Sequence, residues 1–177
     1  MELSGNIEET HMEGVISKVR SGLAELGVVT LFSNTENLTH QKFRANELEF
    51  HKLAQRKLYL IVGPKNPLYH KEEDQVSVED FKGFTYIANY HSPADLPLYD
   101  TIFQGVHREH TEFGVSDLGL ALKLVEYSES VLIDTYEAQA HHIFHSSNQF
   151  TFLPIIDMPI DCQFDYVKLK DTQLTNL

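Results

Sequence analysis

The sequence predicts an α/β fold built mostly on parallel sheet. Short apolar runs typical of buried strands, such as Val28–Phe32 and Leu58–Val62, alternate with segments whose apolar residues recur at helical spacing. The chain has 177 residues, enough for one domain or for two small lobes that share a core. Its 42% hydrophobic and 23% charged residues are typical of a globular protein and exclude a disordered tail.

The N-terminal quarter alternates as this fold class requires. Residues 3–9 are predicted to form a short strand, and residues 11–25 a helix that ends before Gly27. The apolar residues that recur at helical spacing are Met12, Val15, Ile16, Val19 and Leu23. Residues 27–32 are predicted to form a buried strand, whereas the polar stretch 33–44 is interpreted as a loop.

The middle of the chain contains the clearest strand, over residues 58–62, which a Gly-Pro pair ends. Residues 47–53 are predicted to be a strand or an extended lead-in. The S-x-x-D pattern of Ser77 and Asp80 predicts a helical turn over 78–82, and another strand follows over 84–90.

The C-terminal half continues the alternation. A helix is predicted over 117–127, because leucine, alanine and valine recur along one side of that segment. Ser116, which directly precedes it, is predicted to be its N-cap. The remaining predicted elements are a turn at 91–95, a helix at 96–109, a brief strand at 111–115, a strand at 131–133, a helix at 134–145, an extended segment at 150–154 and a strand at 164–169.

Composition excludes several classes of protein. With 14 basic and 26 acidic residues the net charge is −12, which makes the chain a poor DNA binder by itself. The single cysteine, Cys162, excludes an intramolecular disulfide. The chain shows no signal peptide and no apolar run of membrane-spanning length, so a cytoplasmic setting is expected. The absence of the common enzyme motifs weighs against the commoner enzyme classes without excluding enzymes; no catalytic activity and no cofactor are expected.

Several stretches, taken in order, resemble the effector-binding domain of LysR-type transcriptional regulators. Residues 58–69 and 76–84 are similar to that family's strand, its "HPLA" turn and the turn that follows, with Asn66 where the family usually has His. Residues 19–29 resemble the end of one of its helices, with Glu25 where the family usually has Asp. Residues 115–133 resemble its later helix and strand, and residues 152–156 its return strand.

Two departures from the family pattern follow the later helix. Tyr127–Ser130 replace the usual glycine pair, so this turn must differ, and Asp134 with Thr135 stand where a proline is expected.

The resemblance implies a type 2 periplasmic-binding-protein-like fold, in which two α/β lobes are joined by two crossing strands. Lobe I would comprise residues 1–57 and 154–177, and lobe II residues 58–153. The chain is expected to be a fragment, because several parts of the family's proteins have no counterpart here. These are the winged helix-turn-helix, the first strand and first helix of the effector domain, and its last helix. An exposed sheet edge is then expected to favour a homo-oligomer.

By the same resemblance, a small metabolite would bind in the cleft between the lobes, where strands end. The residues expected to contact it are Thr10, Phe32, Ser33, His91, Ser92, Pro93 and Ser116. Hydroxyls and backbone N–H groups at such positions suit a small carboxylate. The simpler interpretation is that these are loop residues, and that Ser116 only caps a helix.

Two alternative functions remain open at this point. One is a free-standing solute-binding protein of the same fold, although it would be expected to carry a signal peptide. The other is a metal-binding protein, which would use histidines at helical spacing. Those histidines are His107, His110, His141, His142 and His145.

Overall fold

The computed structural model describes residues 6–8, 10–71, 75–89, 113–134, 149–158 and 160–172. The helices are α1 (Met12–Arg20), α2 (Glu36–Arg44), α3 (Val78–Phe81) and α4 (Leu118–Tyr127), with a 3-10 turn at Pro67–His70. The strands are β1 (Gly27–Phe32), β2 (Leu48–Arg56), β3 (Tyr59–Val62), β4 (Tyr86–Asn89), β5 (Phe113–Val115), β6 (Val131–Asp134), β7 (Thr151–Pro154) and β8 (Cys162–Leu169). None of the helices so described is long and apolar enough to cross a lipid bilayer.

One sheet has three strands in the order β1-β8-β2, and both pairings are antiparallel. Gly27 lies opposite Val167, and Phe32 lies opposite Cys162. Both α1 and α2 pack on one face of this sheet, because their apolar residues join those of the strands in a single core cluster. The fully buried members of that cluster are Ile16, Val19, Val29, Leu31, Phe43, Leu48 and Val167.

The second sheet has five strands in the order β5-β4-β6-β3-β7. β4 runs parallel to β5 and to β6, whereas β3 runs antiparallel to β6 and to β7. The expectation of mostly parallel sheet is therefore wrong: of the six pairings between described strands, the two that involve β4 are parallel and the other four are antiparallel. Apolar runs reveal that a strand is buried but not the direction of its neighbour.

The two sheets share part of their core. The chain leaves the three-stranded sheet between β2 and β3 and returns to it between β7 and β8. Cys162 of β8 belongs to the same buried cluster as residues of β3, β4, β6 and β7, and Phe32 of β1 packs against that cluster.

Three expectations for the first 44 residues are wrong. Residues 6–8 are not a strand, and Ile7 is 98% exposed. α1 ends at Arg20 because Gly22 adopts a φ of +74°, which stops the helix five residues before Gly27. The polar stretch predicted as a loop contains α2, whose buried Thr39 and Phe43 are spaced four residues apart.

Two further details differ from expectation. β1 is not buried on both faces, because Val28 is 55% exposed. The cap of α4 is Asp117 and not Ser116, since the Asp117 carboxylate accepts the Leu120 N–H at 2.7 Å.

The remaining described elements agree with the sequence patterns. They include β2 to β8, α3 with its capping box of Ser77 and Asp80, and α4. Three predicted elements lie outside the described residues: the turn at 91–95, the helix at 96–109 and the helix at 134–145. The exception is Asp134, which is described and ends β6.

Candidate functional site

The first candidate residues lie where β1 ends. The Ser33 N–H donates to the Asp161 carbonyl at 2.9 Å, and the Asp161 N–H donates to Ser33 Oγ at 3.0 Å. Asp161 belongs to the segment by which the chain returns to the three-stranded sheet. Ser33 is therefore fixed at a crossing between the sheets. A hydroxyl that accepts one hydrogen bond can also donate one, so the Ser33 hydroxyl has the chemistry to bind an anionic ligand.

Phe32 precedes Ser33 and is half-buried. It packs against the core of the five-stranded sheet and lies opposite Cys162 in register. The aromatic ring thus connects the end of β1 to the second sheet. Its contact with a ligand stays a prediction.

Thr10 lies beside the N-terminus of α1. Its Oγ1 is 3.5 Å from Nδ1 of His11, which is the N-cap of α1 but makes no side-chain capping hydrogen bond. A Cβ on Gly14 would come within 2.2 Å of that Oγ1, so the threonine side chain lies against the first turn. The backbone N–H groups of the first turn of α1 receive no hydrogen bond acceptor from the N-cap side chain. Together with a neighbouring hydroxyl, such N–H groups can bind a carboxylate.

The candidate residues of the second sheet follow β4 and β5. These strands are parallel, and Asn89 lies opposite Val115, so their carboxyl ends lie at one edge. Ser116 directly follows that edge and is exposed. Since Asp117 caps α4, the Ser116 hydroxyl is not needed for capping. His91, Ser92 and Pro93 lie outside the described residues.

Within the described part of the chain, no hydrogen bond joins Thr10, Ser33 and Ser116 to one another. Each is placed by its own element: Thr10 by α1, Ser33 by β1, and Ser116 by the β5–α4 junction. Their joint role in one site therefore stays a prediction.

Cys162 does not supply a reactive thiol to this region. Burial, and secondarily the negative charge of Asp134, raise the pKa of the Cys162 thiol to about 12. Among the described residues no group of three or more His, Cys, Asp or Glu side chains could hold a metal ion. The five histidines considered for metal binding lie outside those residues.

Sequence reasoning missed the structural role of Asn66. This side chain is 2% exposed; its Nδ2 donates to the Glu129 carbonyl at 2.5 Å, and its Oδ1 accepts from the Leu68 N–H at 2.9 Å. It therefore joins the turn after β3 to the turn after α4. In that second turn the Ser128 hydroxyl donates to the Leu124 carbonyl at 2.6 Å. An asparagine followed by proline after a strand was the available sequence signal.

The role of Asp161 was also missed. It acts through its backbone, and its partner is 128 residues distant in sequence. No local sequence pattern could have indicated that contact.

The whole fold can be compared with known proteins. No protein-family model and no curated protein matches the sequence. Among solved structures, the effector-binding domain of QuiR in complex with shikimate matches with a TM-score of 0.67 and 18% identity, over 94% of this chain and 72% of that one. The C-terminal domain of a probable LysR family regulator from Rhodococcus sp. RHA1 matches with a TM-score of 0.70 and 10% identity, over 95% and 77%.

The chain has the fold of LysR effector-binding domains. This is a type 2 periplasmic-binding-protein-like fold, so the fold class expected from the resemblance is confirmed. HinK, a LysR family regulator from Pseudomonas aeruginosa, matches with a TM-score of 0.66 and 12% identity over 96% of this chain. The chain spans 54% of the HinK chain, about half its length.

Proposed function

We propose that this chain is the effector-sensing domain of a LysR-like transcriptional regulator. The observation that carries the proposal is the fold shared with LysR effector-binding domains, one of which is solved with shikimate bound. In this proposal residues 1–57 and 154–177 form lobe I and residues 58–153 form lobe II. A small metabolite binds in the cleft between them.

The proposed ligand is a small anion, such as a carboxylate. On lobe I, Thr10 offers its hydroxyl beside the first turn of α1, and Ser33 offers its proton at the end of β1. On lobe II, Ser116 lies at the carboxyl-terminal edge of parallel strands, where ligands of α/β sheets bind. We propose that three residues that follow β4 in the sequence complete the lobe II side of the site: His91, Ser92 and Pro93. Phe32 completes the lobe I side.

The site is proposed to sense and not to catalyse, and it needs no cofactor. A ligand that binds the closed arrangement of the lobes more tightly shifts their equilibrium. We propose that this shift is passed to a DNA-binding domain outside this chain, because a net charge of −12 opposes direct contact with DNA. Self-association and a cytoplasmic setting belong to the same proposal.

Thermal denaturation with shikimate and with other small carboxylates tests the proposal. A ligand at about 100 times its dissociation constant stabilises the folded state by roughly 2.7 kcal/mol, which is easily measured. Thr10→Val and Ser116→Ala should each reduce the stabilisation. Ser21→Ala is the matched control, because Ser21 is an exposed hydroxyl at the opposite end of α1.

Two results would contradict the proposal. One is a carboxylate response that survives unchanged in both variants. The other is stabilisation by divalent metals alone that is lost in His141→Ala, which would favour the metal-binding alternative.

A further inference from the structure

A buried carboxyl group lies between α2 and the three-stranded sheet. Asp165 of β8 is 3% exposed, and its Oδ1 accepts a hydrogen bond from Gln163 Nε2 at 2.9 Å. Val167, two residues further along β8, belongs to the core cluster that α1 and α2 cover. Alternate residues of a strand share a face, so the Asp165 side chain lies on the covered face. A carboxyl group in such a place is costly to ionise.

His40 of α2 lies over the same face of the sheet. The centroid of its ring is 4.3 Å from that of Phe50, and Phe50 lies opposite Val167 in register. His40 Nε2 is buried and has no hydrogen-bond partner within the described part of the chain. Glu36 Oε1, one turn earlier on α2, is 3.9 Å from this nitrogen, too far for a hydrogen bond. Because 22% of the His40 side chain is exposed, the ring can still exchange a proton with solvent.

The charges around Asp165 come from α2 and β2. Burial raises the pKa of the Asp165 carboxyl, whereas the positive charge of His40 and the hydrogen bond from Gln163 lower it. Glu36 raises this pKa, and Lys52, which is exposed opposite Asp165 on β2, lowers it least. His40 therefore supplies the main charge that offsets the buried carboxylate. Histidine is also the side chain whose ordinary pKa lies nearest neutral pH.

We propose that α2 is held on the three-stranded sheet by a proton-sensitive contact, in which protonated His40 offsets the buried carboxylate of Asp165. α2 loosens when His40 loses its proton. Two steps act in the same direction. The folded state loses stability as pH rises through the raised pKa of Asp165, and it loses the compensating charge when His40 becomes neutral. The contact is therefore firm at about pH 6 and loose at about pH 8.

This contact has a consequence for the ligand, and that consequence rests on the proposed function. α2 begins directly after Thr35, whose N–H donates to the Phe32 carbonyl at 2.9 Å. The Thr39 hydroxyl donates to the Thr35 carbonyl at 3.1 Å. α2 is thus joined to the end of β1, where Phe32 and Ser33 are proposed to meet the ligand. The affinity for a small carboxylate should accordingly be lower at pH 8 than at pH 6.

Hydrogen exchange of the ligand-free chain, followed by NMR, tests the contact itself. Protection factors of the α2 amides should fall at least about tenfold from pH 6 to pH 8, the change that one unit of pKa difference produces. The α1 helix covers the same face of the sheet and is the internal control, because its amides should keep their protection.

Three variants assign the effect to its residues. Asp165→Asn should keep α2 protected at both pH values, and His40→Gln should leave it weakly protected at both. His51→Gln is the matched control. His51 stacks on Tyr166 at 4.6 Å between ring centroids, and both side chains lie on the opposite face of the sheet. This control should therefore retain the pH dependence of the unaltered chain.

Equal protection of α2 at both pH values in the unaltered chain would overturn the inference, and so would a pH dependence that survives in Asp165→Asn. These two measurements decide the question even if His40→Gln does not fold. If α2 is pH-sensitive but no carboxylate stabilises the chain, the contact is supported and only the proposed function is contradicted. Carboxylate binding with pH-independent protection of α2 contradicts the contact and leaves the proposed function intact.

Discussion

Gly63 is a position next to the five-stranded sheet that has no room for a side chain. It is buried directly after β3, where the C-terminal half of α4 passes close to the backbone. A Cβ on this residue would lie 2.2 Å from the Val125 carbonyl oxygen and 2.9 Å from the Glu126 Cα. Both are backbone atoms, so no side-chain rotation can relieve the overlap.

We expect Gly63→Ala to destabilise the protein by about 3 kcal/mol, the upper part of the range for overpacked cores. An ordinary C···O contact of about 3.3 Å requires α4 to move by roughly 1 Å. That movement disturbs the packing of Ala121, Leu122 and Val125, which are all buried. For a chain of this length, 3 kcal/mol corresponds to a Tm lower by about 6–12 °C.

Urea unfolding followed by circular dichroism measures this loss. Gly83→Ala is the control, because a Cβ there would meet no atom within 4 Å. The control should lie within about 0.5 kcal/mol of the unaltered protein. If Gly63→Ala unfolds at the same urea concentration as that control, α4 does not approach β3 as closely as the structure indicates.

Three further predictions concern single polar groups. Asp165 is 3% exposed, and burial raises the pKa of its carboxyl, so the folded state loses stability as pH rises through that pKa. Asp165→Asn should therefore be more stable than the unaltered protein at pH 7. Urea unfolding should show that this difference becomes smaller toward pH 4. Cys162 should react with a thiol reagent at pH 8 only as the protein unfolds, and a fast reaction of the folded protein would contradict its burial. Asp117→Ala should cost about 1 kcal/mol through loss of the α4 cap, whereas Ser116→Ala should leave unfolding unchanged.

Elements whose burial is continuous could be predicted from the sequence. β3 and β6 are short apolar runs, and all three buried residues of α4 lie on the predicted apolar side. α2 could not be predicted because it has only two large apolar residues, Leu38 and Phe43, and seven polar or charged ones. Of these two only Phe43 is buried, whereas Leu38 is 64% exposed.

Long-range pairing could not be predicted. β8 lies between β1 and β2, although more than 100 residues separate it from either strand. The same contrast holds for the candidate site. Local patterns were enough to assign three residues to the beginning of a helix or the end of a strand, namely Thr10, Ser33 and Ser116. The hydrogen bonds between Ser33 and Asp161 could not be predicted, because local sequence does not encode a backbone contact between distant residues.

The insertion of Phe32 and Cys162 into the core of the five-stranded sheet bears on how the molecule unfolds. Neither sheet can lose its structure without exposing apolar surface that belongs to the other. The two sheets should therefore melt in one calorimetric transition. For the same reason, a gene segment encoding only one sheet should yield a polypeptide that aggregates and does not fold on its own.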